Sequence, residues 1–188
     1  MKFLFSFIVV AFIITSCSGT KSFTEADKQA ALSVSNFLDE KQFEFEAEWA
    51  NPLVSNELNQ LAPQLLPQGS NGSRVNLVGT PNYLRIQNDT VSADLPYFGI
   101  MRFPRNPSNT NNAGIYFNGV PKDYKQSFNE KKQQTTISFD IKDETENYQV
   151  FITVYSNKSA RVSINSSHRN TISYDGDITE VSSNDEAL

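Results

Sequence analysis

Three carboxylates alternate with apolar residues near the start of the chain. Glu44, Glu46 and Glu48 would project from one face of a strand, about 6.6–7 Å apart in succession. That spacing overlaps the separation of the two acids in inverting glycoside hydrolases, and carboxylates also bind Ca²⁺. Catalysis would also require an apolar pocket that raises the pKa of one acid. We therefore interpret the three as a solvated strand face, with a hydrolase that uses Glu44 and Glu46 as the alternative.

The chain has one His and one Cys, which limits the chemistry available. A Cys/His zinc site needs more ligands of these types. A Ser–His–Asp arrangement needs only one His, but no Gly-x-Ser-x-Gly turn is present to carry a nucleophile. We therefore predict no catalytic role for His168, and neither a metal nor a cofactor for the protein.

Aromatic residues are concentrated in the middle of the chain, on two segments that flank a Pro/Asn-rich loop. The rings belong to Tyr97, Phe98, Phe103, Tyr116 and Phe117. Such rings can line a ligand cavity, as in some barrels, or fill the core. Nearby cations could hold an acidic ligand or protect exposed strand edges; they are Arg102, Arg105, Lys122 and Lys125. The candidate ligand-binding residues are Tyr97, Phe98, Arg102, Tyr116 and Phe117.

The N-terminus has the pattern of a secretory signal. A short basic start precedes an apolar run at residues 3–14, which is shorter than the roughly 20 residues that span a bilayer as a helix. The sequence Ile14-Thr15-Ser16-Cys17 resembles a bacterial lipoprotein box. The resemblance implies diacylation of the Cys17 sulfur, cleavage before Cys17 and acylation of the new amino terminus, with palmitate as an expected acyl chain. Lipidation also explains an unpaired Cys in an exported chain.

Composition restricts the partners. The formal net charge is −5 and no basic tract is present, so we predict no nucleic-acid partner. We expect the membrane to be reached through the lipid at Cys17. Residues 18–21 lack the acidic cluster that marks surface export in such bacteria, so the expected location is the outer membrane, facing the periplasm.

The elements that would position these residues are one helix and many short strands. Thr24 as N-cap, followed by acids and by apolar residues at helical spacing, predicts a helix over residues 25–40. Alternation over residues 43–49 predicts a strand with Trp49 on the apolar face. Further strands are predicted at 74–79, 83–87, 90–95, 97–103, 115–118, 137–141, 148–154, 160–164 and 172–174.

This pattern predicts an antiparallel sandwich or barrel-like meander of about 9–10 short strands with one N-terminal amphipathic helix. The domain plan is a signal peptide at 1–16, a lipidated tether at 17–23, a single β-rich domain at 24–179 and a polar tail at 180–188. Residues 51–73 and 121–133 are predicted as loops, because they lack strand alternation.

Several short motifs occur in an order that resembles a known family. They are Asn82-Tyr83-Leu84, Leu95-Pro96-Tyr97-Phe98-Gly99, Gly114-Ile115-Tyr116-Phe117, Tyr124, Ile137-Ser138-Phe139 and Ile172-Ser173-Tyr174-Asp175-Gly176. In this order they resemble a family of bacterial lipoproteins described as domain of unknown function 4251, over residues 37–178. The resemblance implies no catalytic residues.

Two functional hypotheses follow. The first is a lipid-anchored envelope protein that acts as a non-enzymatic binding or scaffold module for an envelope protein or a small apolar ligand. The second is a hydrolase of envelope glycans or peptides that uses Glu44 and Glu46. We favour the first, because the sequence pairs no nucleophile with a base.

Overall fold

A computed structural model describes residues 23–53, 66–102, 114–143 and 146–181. Within these ranges the chain forms one helix, α1 (Glu25–Asp39), and ten strands. The strands are β1 (Gln42–Pro52), β2 (Val75–Asn76), β3 (Tyr83–Gln87), β4 (Thr90–Leu95), β5 (Ile115–Gly119), β6 (Lys122–Asn129), β7 (Gln134–Asp143), β8 (Glu146–Tyr155), β9 (Ser159–Ser166) and β10 (Ile172–Glu180). The predicted signal peptide, Cys17, Phe103, Arg105 and residues 182–188 lie outside the described residues.

The strands form one curled antiparallel sheet, a half-barrel. Its order is β5-β4-β3-β1-β10-β9-β8-β7-β6, and the short β2 pairs with β1 beside this path. The first and last long strands, β1 and β10, are therefore neighbours in the middle of the sheet. The two edge strands, β5 and β6, are joined only by residues 120–121. The predicted fold class, mainly antiparallel β with one N-terminal helix, is confirmed.

The helix begins with a capping box. The backbone N–H of Asp27 donates to Thr24 Oγ1 (3.2 Å), and the backbone N–H of Thr24 donates to Asp27 Oδ2 (2.9 Å). These bonds satisfy backbone groups that the first helical turn leaves without partners. The helix buries Ala31, Val34 and Leu38 on one face, and this face packs against β7 and β8. The predicted helix agrees with α1 to within one residue at its end.

Replacing Thr24 with Ala is expected to lower the free energy of unfolding by about 1 kcal/mol, because it removes the side-chain acceptor of the cap. Chemical denaturation of the purified variant measures this change. Ser33→Ala provides the matched control, since Ser33 is exposed in the helix interior, where Ala is the better helix former. Equal stability of the two variants would contradict a stabilising role for the cap.

The core lies on the concave side of the sheet, where inward-facing residues alternate with polar ones. Phe139 on β7 and Ile152 on β8 pair with neighbours on adjacent strands, and each is only 1% exposed. Phe117 on β5 reaches the same interior, where its ring meets Phe139 edge to face with centroids 6.4 Å apart. The edge strand β5 therefore contacts β7, the neighbour of the other edge strand β6, through aromatic side chains.

Several elements differ from the sequence prediction. Tyr97–Arg102 forms no strand and makes only a single bridge, between Met101 and Arg169. Its chain curls back, so that the Tyr97 hydroxyl reaches the Ile100 carbonyl oxygen at 3.0 Å. The segment predicted at 74–79 contains only the two-residue strand β2, and β10 continues past Gly176 to Glu180.

The strand β6 was predicted as part of a loop because its residues are mainly polar. It is an edge strand that contributes no fully buried residue, so burial does not impose an apolar alternation on it. Lys122 and Lys125 lie on this strand and are exposed. Of the two roles considered for them, protection of an open sheet edge is the one that fits their position.

Candidate functional site

A β-bulge in the centre of the sheet changes the direction in which Trp49 points. Ala47 pairs with Gly176, but the next pair is Trp49 with Asp175, so β1 contains one extra residue, Glu48. After this shift Trp49 shares a face with Asp175, which points away from the core, and Ala50 takes the buried position. The prediction that Trp49 lies on the apolar face is therefore wrong.

The bulge is built around a close backbone approach at Gly176. A Cβ atom at this position would lie 1.9 Å from the carbonyl oxygen of Glu46 and 2.8 Å from the Cα of Ala47. No side chain can be accommodated at that distance. Glycine inside a strand is typical of bulges and of close approaches between backbones, and here it marks both.

The outward turn of Trp49 creates a groove on the solvent face of the sheet, with a volume of about 300 Å³. We call it the Trp49 groove. Its side-chain lining comes from β1, β8, β9, β10 and the approach to β2, and consists of Glu48, Trp49, Arg74, Tyr155, Ser159, Asp175 and Asp177. The backbones of Ala160 and Gly176, which pair with each other, complete the floor. Two aromatic rings and several charged groups thus line one surface depression.

One carboxylate of the groove is held in a fixed orientation. Arg161 donates from Nε to Asp175 Oδ1 (2.7 Å) and from Nη2 to Oδ2 (3.2 Å), and Asn51 Nδ2 donates to Oδ2 (2.9 Å). Partial burial alone would raise the pKa of Asp175, but the bonds from Arg161 and Asn51 outweigh it and lower that pKa. Asp175 is therefore an anion at neutral pH, with a defined geometry.

The other charges of the groove have different surroundings. The guanidinium of Arg74 lies 4.2 Å from the centroid of the Trp49 ring, a cation–π contact. Glu48 and Asp177 are exposed to solvent. The groove consequently presents both carboxylates and a guanidinium beside its rings.

The sequence profile of one family, described as a domain of unknown function (DUF4251), matches residues 25–178. The match extends from the first helical residue to the last strand, across both sides of the Trp49 groove. The chain belongs to the DUF4251 family. A comparison with curated proteins finds no match.

The residues predicted to bind a ligand do not form one site in this DUF4251 domain. Phe117 is fully buried, and its ring centroid lies 5.5 Å from that of Tyr148, so it fills the interior. Tyr116 points to the opposite face of β5 and is 47% exposed. Tyr97, Phe98 and Arg102 lie together on the segment 96–102, at the end of the half-barrel away from the helix.

The segment 96–102 is fastened across that end by hydrogen bonds. The buried Tyr174 hydroxyl donates to the Pro96 carbonyl oxygen (2.9 Å), and Arg102 donates from its backbone N–H to the His168 carbonyl oxygen (2.7 Å). Arg102 Nε also donates to Asn170 Oδ1 (3.0 Å). Because its guanidinium and its backbone N–H both bond to the loop at residues 168–170, Arg102 holds the segment 96–102 against that loop.

A buried ion pair lies beneath this segment and was not identified from the sequence. Arg169 donates from Nε to Glu146 Oε1 (2.9 Å) and from Nη2 to Oε2 (3.3 Å), with side chains only 1% and 0% exposed. The Ser166 hydroxyl also donates to Glu146. Tyr97 covers the guanidinium, which lies 5.1 Å from the ring centroid. Charged residues 23 positions apart carry no periodic signal, so the pair could not be found by pattern.

Burial by itself would raise the pKa of Glu146. The hydrogen bonds from Ser166 and Arg169, together with the charge of Arg169, outweigh burial and lower this pKa below its ordinary value. The pair is therefore ionised at neutral pH inside the protein, where each charge depends on the other.

The two carboxylates considered for hydrolysis, Glu44 and Glu46, lie on β1, far from His168. Glu44 forms an ion pair with Arg85 (2.6 Å), and Glu46 is exposed. His168 Nδ1 lies 2.7 Å from Ser167 Oγ. Glu44 pairs with Thr179, while His168 precedes Ile172 at the other end of β10, so roughly 23 Å of strand separates them. In the described ranges, no three His, Cys, Asp or Glu side chains converge as metal ligands. None of the described residues forms a helix with the length and apolar character of a membrane span.

Proposed function

We propose that this DUF4251 member is a lipid-anchored protein of the cell envelope whose β-domain is a non-enzymatic binding module. The observation that carries the proposal is the Trp49 groove. A large aromatic side chain is turned to the solvent face by a strand bulge, and it is flanked by a second ring and by oriented polar groups. Concave sites with aromatic lining and a few fixed polar groups are typical of ligand binding.

The geometry of the bulge supports a binding role more than a packing role. Burying a large aromatic side chain stabilises a fold by a few kcal/mol, yet β1 directs Trp49 out of the core and places Ala50 inside. Bulges commonly redirect side chains next to functional sites. In this protein the redirected side chain is the one that forms the wall of the groove.

The surroundings of Glu44 and Glu46 also favour binding over catalysis. The catalytic acid of a glycoside hydrolase lies in an apolar pocket. Glu44 is instead held in an ion pair with Arg85, and Glu46 is exposed to solvent. We therefore retain the binding module as the function and do not assign Glu44 or Glu46 to catalysis.

Anchoring rests on the sequence at the N-terminus, Ile14-Thr15-Ser16-Cys17. Replacing Cys17 with Ala is expected to move the protein from the membrane fraction to the soluble fraction, or to leave it unprocessed, because no acyl chain can be attached. Fractionation followed by immunoblotting measures the change, and Ser18→Ala serves as the control. Unchanged membrane association of the Cys17 variant would remove the lipid anchor from the proposal.

The proposed location is the periplasmic side of the outer membrane. Protease added to intact cells should therefore leave the protein intact, and should digest it once the outer membrane is permeabilised. Digestion in intact cells would place the domain on the cell surface instead.

The binding role is tested with the full chain immobilised in detergent and exposed to solubilised envelopes. We expect one component, protein or glycan, to be retained by the wild type and by Phe151→Ala. The same component should be lost with Tyr155→Ala. Phe151 and Tyr155 are similarly exposed on β8, at 42% and 40%, but only Tyr155 lines the groove. Equal retention by all three proteins would refute binding at this site.

A further inference from the structure

We infer that the Trp49 groove binds an uncharged oligosaccharide. This inference rests on the proposed binding function and gives its ligand a chemical class. Three properties of the groove lead to it: the spacing of the strands that carry its two aromatic residues, the hydrogen-bonding groups between them, and the balance of charges.

The two aromatic residues of the groove lie on separate strands of the sheet. Trp49 lies on β1 and Tyr155 at the end of β8, with β10 and β9 between them. Three strand spacings separate these strands, which corresponds to about 14 Å across the sheet. The faces of pyranose rings carry C–H groups that stack on aromatic rings, and Tyr155, which is 40% exposed, offers such a ring. Arg74 lies over the Trp49 ring, so we expect the ligand to contact Trp49 and Arg74 together at the other end of the groove. A short oligosaccharide has the length to contact both ends.

The polar groups between the rings match sugar hydroxyls. Asp175 is held by Arg161 and Asn51, so a hydroxyl that donates to its remaining acceptor capacity meets a carboxylate whose geometry is already set. Asp177 and Ser159, which pair across β10 and β9, add an acceptor and a hydroxyl to the same surface. A small apolar ligand would displace water from the Asp177 carboxylate and from the other polar groups without replacing its hydrogen bonds, at a cost in binding free energy.

The charges of the groove disfavour ligands of either sign. Glu48 and Asp177 are exposed carboxylates, and they would repel a glycan that carries phosphate or carboxylate groups. Arg74 already covers the ring of Trp49, at 4.2 Å from its centroid, and Arg161 lies beside Asp175. These two guanidinium groups would repel a cationic peptide. An uncharged polyhydroxylated ligand can accept hydrogen bonds from the guanidinium groups and donate to the carboxylates.

The chain provides its own reporter for this interaction, because Trp49 is the single Trp in the sequence. The full chain in detergent would be titrated with the tetramer of N-acetylglucosamine while the Trp49 emission is followed. We expect a saturable change in emission, with an affinity that depends little on salt because the ligand is uncharged. Tyr155→Ala should bind the tetramer at least about tenfold more weakly. Phe151→Ala should bind as the wild type does. Circular dichroism and melting curves verify that both variants are folded.

Several results would overturn the inference. The first is the absence of any change in Trp49 emission with the N-acetylglucosamine tetramer and with the corresponding glucose tetramer, up to millimolar concentration. The second is equal affinity of Tyr155→Ala and wild type for the tetramer. The third is a larger, salt-sensitive change in emission with oligolysine. None of these results affects the anchoring test, and a protein retained from envelopes through Tyr155 would still support a binding module. Failure of the saccharide inference can thus be distinguished from failure of the proposed function.

Discussion

Glu146→Gln is expected to lower the free energy of unfolding by about 3–5 kcal/mol, because it leaves a buried guanidinium without its counter-charge. Arg169 is only 1% exposed, and its bonds to Glu146 hold both groups beneath the segment 96–102. Urea denaturation of the purified variant measures the loss. Glu25→Gln is the matched control, because the Lys28–Glu25 pair is largely solvent-exposed and such pairs contribute little. Similar denaturation midpoints for the two variants would contradict this role of the buried pair.

The same pair predicts a pH dependence with a definite sign. The pKa of Glu146 is lowered in the folded state, so the unfolded chain binds its proton more readily than the native protein does. The contribution of Glu146 to the free energy of unfolding is therefore fully present above its pKa in the unfolded chain, about 4.3. This contribution is lost as the pH falls through the lower pKa of the folded state. The stability difference between wild type and Glu146→Gln should narrow below about pH 4. If the two proteins differed by the same free energy of unfolding at pH 7 and at pH 3, the lowered pKa of Glu146 would have no energetic consequence.

Gly176→Ala is expected to destabilise the fold by more than about 3 kcal/mol. The added Cβ would meet the Glu46 carbonyl oxygen at 1.9 Å, and no side-chain rotation can relieve a clash between a Cβ and backbone. The central strands β1 and β10 would have to separate or shift in register, which would also move Trp49. Thermal unfolding and the emission maximum of Trp49 give two independent measurements.

Gly119→Ala provides the matched control for this prediction. Gly119 lies at the end of edge strand β5, and a Cβ built there would meet no atom within 4 Å. We expect its stability to remain within about 0.5 kcal/mol of wild type. If the two glycine variants melted at the same temperature, the close approach at Gly176 would not determine the central pairing.

The elements defined by local sequence could be predicted from the sequence. Strands β3 and β4 agree with their predicted bounds, because tight turns and period-two burial mark them within a few residues. The helix α1 was equally predictable from its N-cap and apolar spacing. In each case the signals that specify the element lie inside it or next to it.

The Trp49 groove could not be predicted, because its cause lies elsewhere in the chain. The alternation over residues 43–49 is regular, and only the pairing of β1 with Gly176 shows that one residue is extra. Gly176 is a usable signal, since an isolated Gly in a strand pattern indicates a bulge, but the strand predicted at 172–174 stops before it. The pair of Glu146 and Arg169 is likewise a long-range contact without a local signature.

The pairing of β1 with β10 has a consequence for the time course of folding. Asn51 and Asp175 contact each other across a separation of 124 positions, so the central ladder cannot form until nearly the whole chain has been synthesised. Contacts of this kind raise the contact order, and folding rates fall as contact order rises. Strand β1 therefore lacks its pairing with β10 until the C-terminal part of the chain has been synthesised. Delayed closure of this kind suits the export to the cell envelope that we propose, because an exported chain crosses the inner membrane in an extended state.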